Sequence, residues 1–173
     1  WPWWSELLSH PSRDQFWQDL SVLDGCEQVT VPALHIGGWF DIFAANTARS
    51  FTELRSRAGT AEAREGQRLI IGPWDHLNST GIYPDRRFGL TADAITQDLT
   101  SEHLRFFDRW LRGRADAENS AAPVKIFVMG IDQWREEQDW PLPDTSYESW
   151  YLHGSGRANT AAGDGRLSTD ALA

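Results

Sequence analysis

Residues Val29 to Phe43 read VTVPALHIGGWFDIF, an apolar run rich in β-formers that breaks at Gly37 and Gly38 and then presents Trp39, Phe40 and Asp41. The pattern predicts a buried strand with a carboxylate just past its end. From Phe43 to Ala58 the period changes: Ala44, Ala48, Phe51 and Leu54 recur at helical intervals, and Gly59 is a natural stop. A polar loop, Thr60 to Gly66, leads into Gln67 to Ile71, whose Leu69-Ile70-Ile71 centre predicts a second strand ending in Gly72-Pro73-Trp74-Asp75-His76. Two strands joined by a helix form a βαβ unit with parallel strands and a right-handed crossover. Parallel strands point their carboxyl ends the same way, so Asp41 and His76 are expected on one edge of the sheet. That edge is where ligands and catalytic groups gather in open α/β sheets.

The flanking pattern extends this picture on both sides. Trp4, Leu7 and Leu8 give a helix over Trp1 to Ser9 closed by Pro11, and Phe16, Trp17 and Leu20 mark a short helix over Asp14 to Leu20. Beyond the second strand, Leu77 to Leu90 is a long loop carrying Arg86-Arg87. Ile95 to Leu111 is then an amphipathic helix with Leu99, His103, Phe106, Phe107, Trp110 and Leu111 along one side. Residues 1–113 therefore form one domain, and the small, polar stretch 114–122 is expected to be a linker. In the remainder, 123–173, Val124, Ile126 and Val128 alternate with Lys125 and Phe127. Trp134 to Trp140 is turn-like and charged, and Tyr147 to Leu152 alternates again, which predicts the opening of an all-β sandwich. The tail from Gly154 has little to bury.

Composition narrows the partners. Sixteen Lys and Arg against twenty-five Asp and Glu give a formal net charge of -9, which disfavours a phosphate-tracking face and hence nucleic acid. Cys26 is the single cysteine and cannot form an internal disulfide. The chain has no apolar run of membrane-spanning length and no targeting signal, so a cytoplasmic location is favoured. Its start at Trp1-Pro2-Trp3-Trp4, without an initiator Met, is expected of an internal piece. Ten Trp residues, several beside Pro or Gly, read as packing around turns in most cases.

An acid after one strand and a histidine after the next follow the second half of the α/β-hydrolase order Ser, Asp, His. The chemistry requires a carboxylate that holds the imidazole by its Nδ1 proton, so that Nε2 faces the nucleophile. Set against this, an Asp and a His in loops are common as surface residues. The other histidines are weaker candidates: His35 reads as a satisfied core side chain, His103 sits on a helix, His10 precedes Pro11 and His153 belongs to the β region. Asp75 is either a surface neighbour of His76 or tunes it, and Arg86 and Arg87 read as a solvated loop. A metal site of Asp41, Asp75 and His76 is disfavoured, because Asp75 and His76 are adjacent and there is no ligand-spaced His or Cys cluster. No Gly-x-Ser-x-Gly elbow occurs. Cys26 precedes its strand, so it belongs at the opposite sheet edge and is a poor substitute nucleophile.

The segments VPALHIGGWFDIF, GPWDH, HLRFFDRWLRG and VKIFVMGIDQWREEQDWPLP together resemble the CocE/NonD hydrolases, the family of bacterial cocaine esterase, related to X-prolyl dipeptidyl aminopeptidases and α-amino-acid ester hydrolases. The resemblance spans nearly the whole chain. It implies that Asp41 and His76 are a triad's acid and base and that Phe43 helps line the acyl pocket. It also implies that residues 1–20 end a helical cap, that the serine elbow and oxyanion-hole tyrosine precede Trp1, and that a jelly-roll-like sandwich continues past Ala173. The expectation is thus the C-terminal part of an α/β-hydrolase domain followed by the start of a jelly-roll-like β-sandwich. Together with its missing N-terminal part it would cleave small-molecule esters or amides without a cofactor, and alone it would be inactive. The rival expectation is a non-catalytic binding or structural module, completed by a complementary chain.

Overall fold

The computed structural model of the chain describes residues 2–114 and 122–171, so residues 115–121, the body of the expected linker, lie outside the described residues. Helix α1 (Pro2–Ser9) and the short α2 (Gln15–Asp19) come first, the latter capped by Asp14, whose side chain accepts the Phe16 N–H. A 3-10 turn over Cys26–Gln28 precedes strand β1 (Leu34–Gly38). Helix α3 (Ala44–Arg57), helix α4 (Ala61–Glu65) and strand β2 (Arg68–Gly72) complete the expected βαβ unit, with β1 and β2 parallel from the Leu34–Arg68 pair to the Gly38–Gly72 pair. Two details differ from expectation. Strand β1 starts at Leu34, not Val29. The polar loop after α3 contains α4, a single turn that Thr60 caps through the Ala63 N–H.

A larger difference lies beyond α5 (Leu99–Arg112). Strand β3 (Val124–Val128) pairs in parallel with β2, and β4 (Gln133–Glu137) pairs antiparallel with β3, so the sheet order is β1-β2-β3-β4. The expected sandwich start at residue 123 is therefore corrected. These strands finish the α/β sheet, and one compact unit runs to Pro143 while a second begins at Asp144. The alternation of β3 misled because a strand covered unequally on its two faces resembles a sandwich strand. Likewise Trp134 to Trp140, expected as a charged turn, is largely the edge strand β4, where polar residues are tolerated.

The core follows from the two faces of β2. Leu69 and Ile71, with Phe51 of α3 and Val124 and Ile126 of β3, form one buried cluster, against which Trp39, Ala48, Val128, Trp140 and Leu142 pack. The alternate residue Arg68 turns to the other face, where its guanidinium meets Glu102 of α5 at 3.0 Å, with Lys125 Nζ 3.7 Å from the same carboxylate. Helix α5 thus reaches the sheet through a buried ion pair, and its Phe106 is buried as well. Phe107 and Leu111, expected on its inner side, are exposed.

The second unit holds β5 (Tyr151–His153) and β6 (Arg166–Ser168), an antiparallel pair whose His153 bonds the Asp170 carbonyl. Among the described residues no helix is long and apolar enough to cross a membrane.

Candidate active site

The parallel ladder does not stop at Gly38 and Gly72. Trp39 N–H donates to the Gly72 carbonyl and Phe40 N–H to the Trp74 carbonyl, each at 2.9 Å, so the loop after β1 is hydrogen-bonded to the loop after β2. Close approach requires glycine: a Cβ on Gly38 would fall on the Trp74 carbonyl, and one on Gly72 on the Trp74 indole. Trp39 adds a bond from Nε1 to the Phe127 carbonyl at 2.7 Å, and the buried Trp74 bonds the Ala92 carbonyl through its own Nε1 at 2.7 Å. Most of the tryptophans near the sheet serve packing, as expected.

This lacing brings the two expected residues together. His76 Nδ1 lies 3.3 Å from Asp41 Oδ2, while Asp41 Oδ1 accepts the Phe43 N–H at 2.7 Å. The carboxylate is therefore used on both oxygens, one fixing its own rotamer against the N-terminus of α3 and the other facing the imidazole. With the proton on Nδ1 donated to Asp41, Nε2 on the far side of the ring is the free acceptor that a proton-transfer step needs. The side chains are 17% exposed for Asp41 and 53% for His76, so the acid is largely withdrawn from water and the base is reachable. Phe43 packs edge-on against His76, ring centres 5.4 Å apart.

The remaining candidates separate from this edge. His35 donates from Nε2 to Gln67 Oε1 at 2.8 Å, and burial holds its pKa below the ordinary range, as a neutral core histidine requires. Cys26 is buried with Leu54, Ala58 and Ala63, at the far end of α3 from Asp41, and burial raises its thiol pKa, which is the wrong direction for a nucleophile. His10 bonds Asp14 at 2.6 Å, which raises its pKa, and His103 bonds the Leu99 carbonyl one turn back on its own helix. Arg86 is more than a solvated loop residue: it pairs with Asp132 at 2.7 Å and lies over the Phe88 ring. Among the described residues no group of three or more His, Cys, Asp or Glu side chains could hold a metal ion. What sequence reasoning missed is the lacing itself. Its signal was the glycine that ends each strand.

Comparison with known proteins places the chain among hydrolases. The family model for X-Pro dipeptidyl-peptidase (S15 family) matches residues 1–78, which include Asp41 and His76. Cocaine esterase of Rhodococcus sp. (strain MB1 Bresler) is 44% identical over 169 residues, 97% of this chain and 28% of that protein. Over residues 1–78 the chain is similar to the S15 family. A second model, the X-Pro dipeptidyl-peptidase C-terminal non-catalytic domain, matches residues 116–173, although β3 and β4 within that range are hydrogen-bonded into the sheet of the first unit. Among solved structures, an α-amino acid ester hydrolase superposes with a TM-score of 0.62 at 26% identity, over 81% of this chain and 23% of that one. An aminopeptidase from a marine sediment Thaumarchaeota archaeon shares the fold, with a TM-score of 0.67 at 23% identity over 97% of this chain and 26% of that one. The chain thus spans roughly a quarter of each relative's length.

Proposed function

We propose that Asp41 and His76 are the acid and base of a Ser-His-Asp triad in a serine hydrolase of carboxylic esters or amides, with the serine supplied by residues outside this chain. His76 Nε2 takes the serine proton as the hydroxyl attacks the carbonyl, then returns it to the leaving group. Asp41 holds the Nδ1 proton and stabilises the imidazolium that forms between the two steps. Phe43, edge-on to the base, lines the acyl side of the pocket. Oxyanion donors come from the same outside part as the serine. Residues 1–20 are read as the end of a helical cap, and the β5–β6 pair as the start of a jelly-roll-like sandwich.

The observation that carries the proposal is the 3.3 Å approach of His76 Nδ1 to Asp41 Oδ2, made by two loops that the sheet itself ties together. The test is hydrolysis of a p-nitrophenyl ester by the full-length protein. His76→Ala is expected to lower kcat on the order of 10³-fold or more. Turnover near wild type in that variant would remove His76 from the mechanism and favour a non-catalytic module.

A further inference from the structure

His76 is held lightly for a base that must meet a nucleophile. It lies past the end of β2, is half exposed, and its ring touches Asp41 and Phe43. Its position therefore depends on the backbone turn that carries it. In that turn Asp75 Oδ1 accepts two backbone N–H groups, those of Leu77 and Asn78, each at 2.7 Å, and the Asp75 N–H donates to the Asn78 carbonyl at 3.0 Å. The turn is closed around His76 by its predecessor.

The closed turn is in turn fastened to its own stem. Asn78 donates from Nδ2 to the Ile82 carbonyl at 2.7 Å and accepts the Thr80 N–H and hydroxyl on Oδ1, at 2.9 and 2.6 Å. Tyr83 donates its hydroxyl to the Pro73 carbonyl at 3.1 Å. Short polar side chains that bond backbone amides two or three residues on are the usual way to fix a loop without regular structure. Here Asp75 is the hub, because the amides of two consecutive residues after the base converge on one of its oxygens.

We propose that Asp75 is a positioning residue for His76, acting as the acceptor that closes the 75–78 turn and not as a charge that tunes the imidazole. The proposal rests on the role given to His76 above. Bond geometry distinguishes the two mechanisms: an uncharged Asn presents the same side-chain oxygen to Leu77 and Asn78, whereas a charge effect is lost in Asn and Ala alike.

The test is steady-state kinetics on a p-nitrophenyl ester with the full-length protein, comparing Asp75→Ala, Asp75→Asn and His76→Ala with wild type. Displacement of a catalytic group by about an ångström costs up to ~10²-fold, so Asp75→Ala is expected to lower kcat by roughly ten- to a hundredfold with KM within about threefold. Asp75→Asn is expected to restore kcat to within about threefold of wild type, with the acidic limb of its pH profile unmoved. Wild-type kcat in Asp75→Ala overturns the proposal, and so does a tenfold or larger loss in Asp75→Asn, a variant that decides the matter even if Asp75→Ala does not fold. His76→Ala separates the two levels: its full activity would remove the triad reading, whereas its inactivity beside an unaffected Asp75→Ala removes only the role of Asp75.

Discussion

Strands β1 and β2 deliver the acid and the base to the same sheet edge, yet they are held in opposite ways. Strand β2 lies between β1 and β3 with every residue buried, whereas β1 is an edge strand of the four and only Gly38 in it is buried. The base therefore stands on a strand fixed by packing. The acid stands on a strand fixed by hydrogen bonds to its neighbour: the ladder from Leu34 to Gly38, then Trp39 N–H to Gly72, Phe40 N–H to Trp74, and the Trp39 indole to Phe127. The difference teaches that β2 is the template of the site and β1 is registered against it. Damage to β2 should lower stability first, and damage at the seam should disturb the dyad.

Stability measured by thermal or urea unfolding of the 173-residue chain can break this comparison. The largest effect is expected in β2: Ile71 is fully buried against Phe51, Val124 and Ile126, and Ile71→Ala should cost about 2–5 kcal/mol. An equal or larger loss from Ile36→Ala in β1, which is half-buried, would contradict the ranking; about 1 kcal/mol is expected there. Between these lies the seam. Gly38→Ala drives a methyl into the Trp74 carbonyl, and about 1–3 kcal/mol of overpacking is expected, together with a fall in kcat of the full-length protein, because the loops bearing Asp41 and His76 are forced apart.

The smallest effect is on pH dependence, and it belongs to β1. Burial lowers the pKa of His35 from 6.5, so the unfolded chain takes up a proton that the folded chain resists. The contribution is complete above the unfolded value and stability falls as pH drops below it. His35→Gln should flatten that fall, as read from unfolding midpoints across the acid range. His10 has the opposite sign, since its bond to Asp14 raises its pKa and adds stability at low pH, and the His35→Gln substitution leaves it in place.

The βαβ unit was legible because its signals are local. Ala44, Ala48, Phe51 and Leu54 mark the inner face of α3, and the glycines that end β1 and β2 mark the turns that present Asp41 and His76. The shared sheet edge then follows from parallel pairing alone. Three features were hidden because they depend on partners far away in the chain. Glu102 of α5 carries no local signal of burial, and it is buried by its pairing with Arg68 and Lys125. Trp134 to Trp140 looked turn-like and charged, and pairing with β3 makes Gln133–Glu137 a strand. The domain boundary moved to Pro143 for the same reason, since β3 joins the parallel sheet across residues whose composition reads as a linker. At the site, the turn bonds of Asp75 were not legible, and the sequence offered it only as a surface neighbour of His76 or a group that tunes it.

The central claim is that Asp41 and His76 act as one unit, and a double-mutant cycle on kcat tests it most directly. Asp41→Asn, His76→Ala and the double variant of the full-length protein are compared on one p-nitrophenyl ester. Groups that share a catalytic function are strongly non-additive. The account predicts that adding Asp41→Asn to His76→Ala lowers kcat no further, because an orienting carboxylate has nothing left to orient. Losses that multiply, or a His76→Ala variant that works as well as wild type, would contradict it.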